Sequence, residues 1–349
     1  MLYLNLSVII TLKLGKMEQY KKKYQEFDRI VKASKNILIV SHVNPDGDTL
    51  GAMCALRSAI YQNFKKKAEM LVLSKIPKVY EFLPNISEAK TLDMLDKSRE
   101  YDLVIATDVA SLDRLIDAQI LFEKAKYTVN IDHHLTNNNY GTLAIVEPNA
   151  SSSGEVVYKM LKSLGWEIGG KCLDTVTCIY TAILTDTGGF RFENTSAEVF
   201  RIAAELTDMG INPKCLYKKC YESKSKAMVL FQGYCVSKAI FSKDEKVVYT
   251  VVYKKDMEKY AVRDDATDGI AEALRAISTT EVSFVVKEVD AKICKISMRS
   301  KNVDIAEVCS KFGGGGHKFA AGCTIKASCD EAVKKLLAEI SKESKCANS

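Results

Sequence analysis

The chain has 349 residues, 47% hydrophobic and 27% charged, with a net charge of +6. That is an ordinary soluble globular composition, long enough for two domains, and the mild charge excludes the strongly basic balance of a protein that coats long nucleic acid. Eleven cysteines without a C-x-x-C pair, zinc spacing or secretion signal point to reduced thiols in the cytoplasm, most of them small core hydrophobes.

Residues 1–12 are apolar but too short to span a bilayer, and they lack a basic n-region and a small-residue cleavage site. Met17 opens a charged, helix-like start, so residues 1–16 are expected to be an extension or an upstream mis-start. A helix is predicted over 18–34, where Tyr24, Phe27, Ile30 and Val31 fall near helical spacing. A buried strand follows at Ile37–Val40. It runs into the loop S-H-V-N-P-D-G-D, where Pro45 and Gly47 force a tight turn before a helix over 49–64. Met70–Leu73 reads as a second strand, 78–97 as loop and helix, and Asp102–Ala106 as a third strand ending at Thr107–Asp108. A helix over 112–124 leads to a fourth strand, Tyr127–Ile131, which ends in Asp132-His133-His134. This alternation predicts a doubly wound parallel sheet, and three strands that end in Asp or His on one sheet edge predict a site there.

Helices are expected over 154–164, 172–186 and 195–209, the last capped by Thr195. The middle one leads into T-D-T-G-G-F-R-F, residues 185–192. The Lys-rich stretch 210–237 reads as a linker. A smaller α/β domain is expected over 238–345, with strands at 247–253, 282–289 and 292–298, a helix over 265–277 between the first two, and a terminal helix near 329–343. The expected division is thus a 17–209 catalytic domain and a 238–345 substrate-binding domain. No repeat or low-complexity tract is present.

The four histidines, His42, His133, His134 and His317, all fall inside Asp- or Gly-rich motifs. A phosphoryl-transfer centre with two metals roughly 3.5–4 Å apart needs about six to eight protein ligands. His42, Asp46, Asp48, Asp108, His133 and Asp186 are the candidates. So many carboxylates at one point would repel unless cations neutralise them. Such a centre activates water for attack on phosphorus. His134 is placed to hold a phosphate oxygen or protonate the leaving oxygen, and Asp132 to orient a histidine. Gly313–Gly316 would expose consecutive backbone N–H groups as an anion nest, with His317 and Arg299 adding reach. It is not a Walker loop, because G-K-S/T is missing, and no dinucleotide fingerprint follows the first strand. Phe190, Phe192 and Phe319 are candidate base-stacking rings, with core packing the more frequent fate of such residues.

H-V-N-P-D-G-D, T-D at 107–108, D-H-H at 132–134, T-D-T-G-G-F-R-F and G-G-G-G-H-K-F-A-A-G together resemble the DHH phosphoesterase family. Their order is similar to the branch with a C-terminal DHH-associated domain, of the nanoRNase/pAp phosphatase type. The resemblance implies two lobes around an active-site cleft and a metal-dependent phosphohydrolase. Two Mn²⁺ ions would be used, with Mg²⁺ or Co²⁺ as substitutes. The substrates implied are very short oligoribonucleotides and 3′-phosphoadenosine 5′-phosphate (pAp). It implies that His42, Asp46 and Asp108 hold one metal. Asp48, Asp108, His133 and Asp186 would hold the other, with Asp108 bridging. His134 would face the scissile phosphate, so that His134, Asp108 and His133 form the catalytic set. Arg299, Ser300, Gly314, Gly315, Gly316 and His317 would bind the far end of the substrate. The motif's usual G-S is Gly51–Ala52 here, a change expected to be minor. A cyclic di-AMP or pApA phosphodiesterase with the same site is the main rival. A family-II-like pyrophosphatase and an inactive nucleic-acid-binding module are weaker ones. No membrane partner is expected, and a homodimer is one assembly to consider.

Overall fold

A computed structural model describes residues 6–96, 98–170 and 172–346. The chain divides into two compact units, Met1–Ser223 and Lys224–Ser349. In the first, helix α1 (Leu6–Ala33) is followed by β1 (Ile37–Val40), α2 (Gly47–Phe64), β2 (Glu69–Leu71) and three short 3₁₀ turns across 78–94. Strand β3 (Leu103–Thr107) comes next. A 3₁₀ segment at 112–118 continues into α3 (Gln119–Lys124), and β4 (Tyr127–Asp132) and β5 (Leu143–Val146) complete the sheet. Helices α4 (Ser153–Ser163), α5 (Asp174–Asp186), α6 (Ala197–Asp208) and α7 (Pro213–Tyr221) finish the unit. The expectation for residues 1–16 falls partly on 1–5, which lie outside the described residues. From Leu6 onward the backbone is continuous with α1.

The five strands are all parallel, in the order β2-β1-β3-β4-β5. Side chains of a strand alternate between faces, so β1 serves two cores. Ile37 and Ile39 pack with Phe27, Met53 and Ile183 on one side. Leu38 and Val40 pack with Leu115 and Phe122 on the other. Burial on both faces is why the strands read as continuous apolar runs. The chain order reverses direction across the sheet between β1 and β3. That switch point opens a crevice at the strands' carboxyl ends.

Three close approaches set what fills the crevice. A Cβ on Gly47 would collide with Thr185, one on Gly51 with the Cys178 carbonyl and Ala182, and one on Gly154 with Ala182. Glycine therefore lets the N-termini of α2 and α4 press against the last turns of α5, which carries Asp186 at its end.

The linker expectation is corrected. Residues 213–221 form α7, entered through Asn212 as N-cap with Pro213 in the first turn. Residues 226–237 form α8 (Lys226–Ser237), which belongs to the second unit. The lysines that suggested a charged connection sit mainly on α7 and the residues between the two helices. The N-cap of α6 is Ser196, whose hydroxyl accepts from Val199 N, and not Thr195.

The second unit continues with β6 (Ile240–Phe241), β7 (Val247–Val252), α9 (Lys254–Lys259), α10 (Ile270–Arg275), β8 (Val282–Asp290) and β9 (Ile293–Ser300). Helix α11 (Ile305–Ser310), β10 (Gly315–His317), β11 (Ala320–Ile325) and α12 (Cys329–Cys346) end the chain. The mixed sheet runs β10-β11-β9-β8-β7-β6, with only β7 and β8 parallel. Of the ten described cysteines seven are buried, as small apolar residues.

Candidate metal centre

Three strand ends deliver most of the site. The loop after β1 carries His42, Asp46 and Asp48. Asp46 caps α2 by accepting from Thr49 N at 3.0 Å. Asp48, the second residue of α2, is almost wholly buried. Its carboxylate accepts from two backbone amides at the start of α4, Ser153 N at 2.6 Å and Gly154 N at 2.9 Å. After β3, Asp108 sits at φ 61°, a left-handed conformation that Asp and Asn tolerate better than other side chains. After β4 come Asp132, His133 and His134.

Asp108 stands between two groups of ligand atoms. Its Oδ2 lies 3.5 Å from His42 Nε2, and its Oδ1 lies 3.6 Å from His133 Nε2. His42, Asp46 and Asp108 offer ligand atoms within 4.8 Å of one another, as do Asp48, His133 and Asp186. His133 Nε2 is 3.7 Å from both Asp48 Oδ2 and Asp186 Oδ2. The other ring nitrogens face carbonyls: His42 Nδ1 is 2.7 Å from Val43 O and His133 Nδ1 is 3.3 Å from Ala150 O. Such contacts fix the ring orientation and aim Nε2 at the carboxylates.

Asp132 is a positioning residue. Its Oδ1 accepts from His133 N and from His134 Nδ1 at 2.7 Å, and Asn137 holds its Oδ2. The histidine it orients is therefore His134. Burial lowers the His134 pKa, but the Asp132 hydrogen bond and the charges of Asp108, Asp132 and Asp186 outweigh it and push it up to about 9. The same balance raises His42, where burial is overcome by Asp108. Burial opposes ionisation of Asp108, yet His42, His134 and His133 hold it well below the usual carboxylate range. Asp48 and Asp186 go the other way. Burial and neighbouring carboxylates raise Asp48 strongly and bring Asp186 to about 7. The protein alone thus leaves negative charge uncompensated, and the donor set, hard oxygens with two imidazoles, fits a pair of divalent cations.

A linkage test follows. Asp48, Asp186, His42 and His134 all have folded pKa values above their ordinary ones, so each contributes stability that is lost as pH rises through its folded value. For Asp186 that window ends near 7 and for His134 near 9. The metal-free protein should lose thermal stability between neutral and mildly alkaline pH. Added divalent cation, which replaces the protons, should raise Tm more at the alkaline end. Equal gains in Tm at both ends would contradict this electrostatic reading.

Sequence reasoning missed several participants. The Thr49 hydroxyl lies 2.6 Å from His42 Nε2, 2.7 Å from Asp108 Oδ2 and 3.1 Å from Asp46 Oδ1. Asn194 donates to the carbonyl of Asp186 and to Ser151 O. The amides holding Asp48 had a legible sign: Ser152 and Glu155 form an S-x-x-E helix start, with Ser152 as N-cap.

In the second unit, Arg299 on β9 donates Nε to Glu272 at 2.6 Å and Nη1 to the Met298 carbonyl. Ser300 departs from its expected role: it is fully buried, and its hydroxyl donates to the Val303 carbonyl. The glycine run is not a nest of consecutive N–H groups. Gly315, Gly316 and His317 form the edge strand β10, paired antiparallel with Gly322, Ala321 and Ala320. A Cβ on Gly314 or Gly316 would strike β11. Phe190 does not present a free ring either. It packs at centroid distances of 5.9 Å from Tyr180 and 5.7 Å from Phe200, and Phe192 covers Gly188.

The model of the DHH family N-terminal domain matches residues 36–183, and that of the DHHA1 domain matches 244–345. The chain is 30% identical to the bifunctional oligoribonuclease and PAP phosphatase NrnA of Bacillus subtilis over 90% of its length and 96% of that protein. It is 29% identical to the protein of the same name from Thermus thermophilus, over 93% and 95% respectively. Among solved structures, an exopolyphosphatase-related protein from Bacteroides fragilis matches with TM-score 0.87 and 25% identity, covering 94% of this chain and 98% of its own. No described helix is long and apolar enough to cross a membrane.

Proposed function

This chain belongs to the DHH family, and on that premise we propose that it is a metal-dependent phosphohydrolase. It degrades very short oligoribonucleotides to mononucleotides and removes the 3′-phosphate of pAp to give AMP. The observation that carries this is the position of Asp108, with one carboxylate oxygen facing His42 and the other facing His133. Relatives that span nearly the whole chain bear the name oligoribonuclease and PAP phosphatase, which favours these substrates over cyclic di-AMP.

His42, Asp46 and Asp108 would hold one cation, and Asp48, Asp108, His133 and Asp186 the other. Mn²⁺ suits their mixed nitrogen and oxygen donors. When bound, the cations supply Lewis-acid stabilisation and an activated water. The chain's own groups do the rest. Asp132 holds the His134 ring in one orientation and favours its cationic form. A cationic imidazole there donates to a phosphate oxygen and can deliver a proton to the leaving oxygen. Ser153 N and Gly154 N fix Asp48 with no side-chain freedom. Arg299, steadied by Glu272, and the edge strand with His317 would take the far phosphate or base. A cytoplasmic location agrees with reduced cysteines and with these substrates.

The test is hydrolysis by the purified protein, with Mn²⁺ and after chelation, of pAp, pApA, cyclic di-AMP, short and long RNA, and pyrophosphate. Metal-dependent release of mononucleotides from the shortest RNAs, together with cleavage of pAp, is expected. Preference for cyclic di-AMP would move the protein to the rival phosphodiesterase reading. Preference for long RNA or pyrophosphate would sink both.

A further inference from the structure

Asp186 ends α5, and the loop that follows it, the Asp186 loop, is bordered by a helix that no part of the reaction described so far uses. On α7, Lys214, Tyr217, Lys218 and Tyr221 recur at i, i+3, i+4 and i+7 and so share one helix face. Leu216, Cys220 and Tyr221 pack on the core, which leaves Lys214, Tyr217 and Lys218 toward solvent. Tyr217 is 40% exposed. It lies over the backbone of the Asp186 loop: a Cβ on Gly189 would stand 3.2 Å from the Tyr217 ring. Tyr221 is its neighbour at 4.9 Å between centroids, and the Tyr221 hydroxyl donates to Leu184 O in the last turn of α5. The ring pair is therefore anchored to the element that presents Asp186.

Arg191 belongs to the same loop. Its Nε donates to Gly188 O at 2.7 Å, which fixes the exposed guanidinium against the loop backbone. Its two terminal nitrogens make no hydrogen bond among the described residues. A guanidinium pinned through Nε keeps its other N–H groups as a preset fork for phosphate. A partly exposed ring packed on the same loop that pins a cation, with two lysines on the ring's helix, is the chemistry that holds single-stranded nucleotides, with charge on the backbone and a ring on the base.

We propose that Arg191 and Tyr217 form a nucleotide subsite at the rim of the Asp186 loop, Arg191 taking a phosphate and Tyr217 stacking on the adjoining base. The subsite rests on the oligoribonucleotide reading given above. It assigns base-tolerant recognition to α7, since every base has a face to stack but only its sugar-phosphate reaches Arg191.

The experiment compares wild type, Tyr217→Ala, Tyr217→Phe and Arg191→Gln in steady-state hydrolysis. The substrates are an adenine dinucleotide and the same dinucleotide made abasic at one end or the other. Tyr217→Ala should raise KM for the full dinucleotide about tenfold with kcat nearly unchanged, and Tyr217→Phe should restore it. On one of the abasic substrates wild type should already show that loss, and Tyr217→Ala should add none. Arg191→Gln should raise KM on both kinds of substrate. An unchanged KM for Tyr217→Ala, failure of Phe to rescue, or equal loss on both abasic substrates would overturn the subsite while leaving the hydrolase reading intact. Wild type that cleaves no dinucleotide would overturn that reading and the subsite with it.

Discussion

Asp108→Asn is expected to lose metal-dependent hydrolysis by at least about a thousandfold, equivalent to roughly 4 kcal/mol of transition-state stabilisation. The reason is geometric. The two oxygens of Asp108 face different imidazoles, at 3.5 Å and 3.6 Å. An amide carries no charge, keeps one oxygen and turns an NH₂ toward the other group, so one of the two proposed cation sites loses a ligand atom and both lose a shared negative charge. Asn is the informative substitution because it tolerates the left-handed backbone at φ 61°, whereas Ala would add strain to the loss of charge. Removing the charge also leaves His42 and His134 facing less negative potential, so their ring pKa values should fall. Calorimetric titration with Mn²⁺ should show wild type binding two ions and the variant binding fewer, with the fold retained by circular dichroism. Turnover near that of wild type would refute a bridging role for Asp108.

The sheet was legible because three of its strands are apolar runs that end in a polar signal. Ile37–Val40, Leu103–Thr107 and Tyr127–Asp132 end at His42, Asp108 and Asp132-His133-His134. Alternation with helices pointed to a parallel sheet, and the strand ends pointed to a candidate site on its edge. Strand β5 escaped notice because four residues, L-A-I-V, are too short a run to show a period, even between turn residues. Thr49 escaped because a threonine one residue after Asp48 looks like any first-turn residue of a helix; only the fold brings its hydroxyl to Asp46, His42 and Asp108. The glycine run misled for a physical reason. Glycines serve an anion nest and a tightly packed edge strand alike, and sequence cannot say whether their missing side chains make room for a ligand or for Gly322, Cys323 and Ala321. Ser300 misled similarly, since a hydroxyl next to an arginine reads as a ligand-binding pair until its donor is found turned inward to Val303.

His134→Gln should lower kcat by about a hundredfold to ten-thousandfold, the span for loss of a positioned proton donor, while leaving Mn²⁺ affinity close to wild type. The contrast with Asp108→Asn separates two jobs that lie side by side in the chain. His133 turns its Nε2 toward Asp48, Asp108 and Asp186, whereas His134 turns its Nδ1 toward Asp132. Gln can keep a hydrogen bond to Asp132 but cannot carry the proton. The companion variant is Asp132→Asn, which keeps the shape of the contact and removes the charge that helps raise His134 to about 9. Activity that depends on cationic His134 is lost as pH rises through its pKa. That alkaline limb should therefore move to lower pH in Asp132→Asn, while kcat at the acidic end stays within a few-fold of wild type. Bound cations beside Asp108 and Asp186 offset part of the negative field at His134, so the wild-type limb should lie below 9 in the loaded enzyme. A limb that does not move in Asp132→Asn, or a His134→Gln variant with nearly full kcat, would remove His134 from the chemistry and leave it a structural neighbour of the centre.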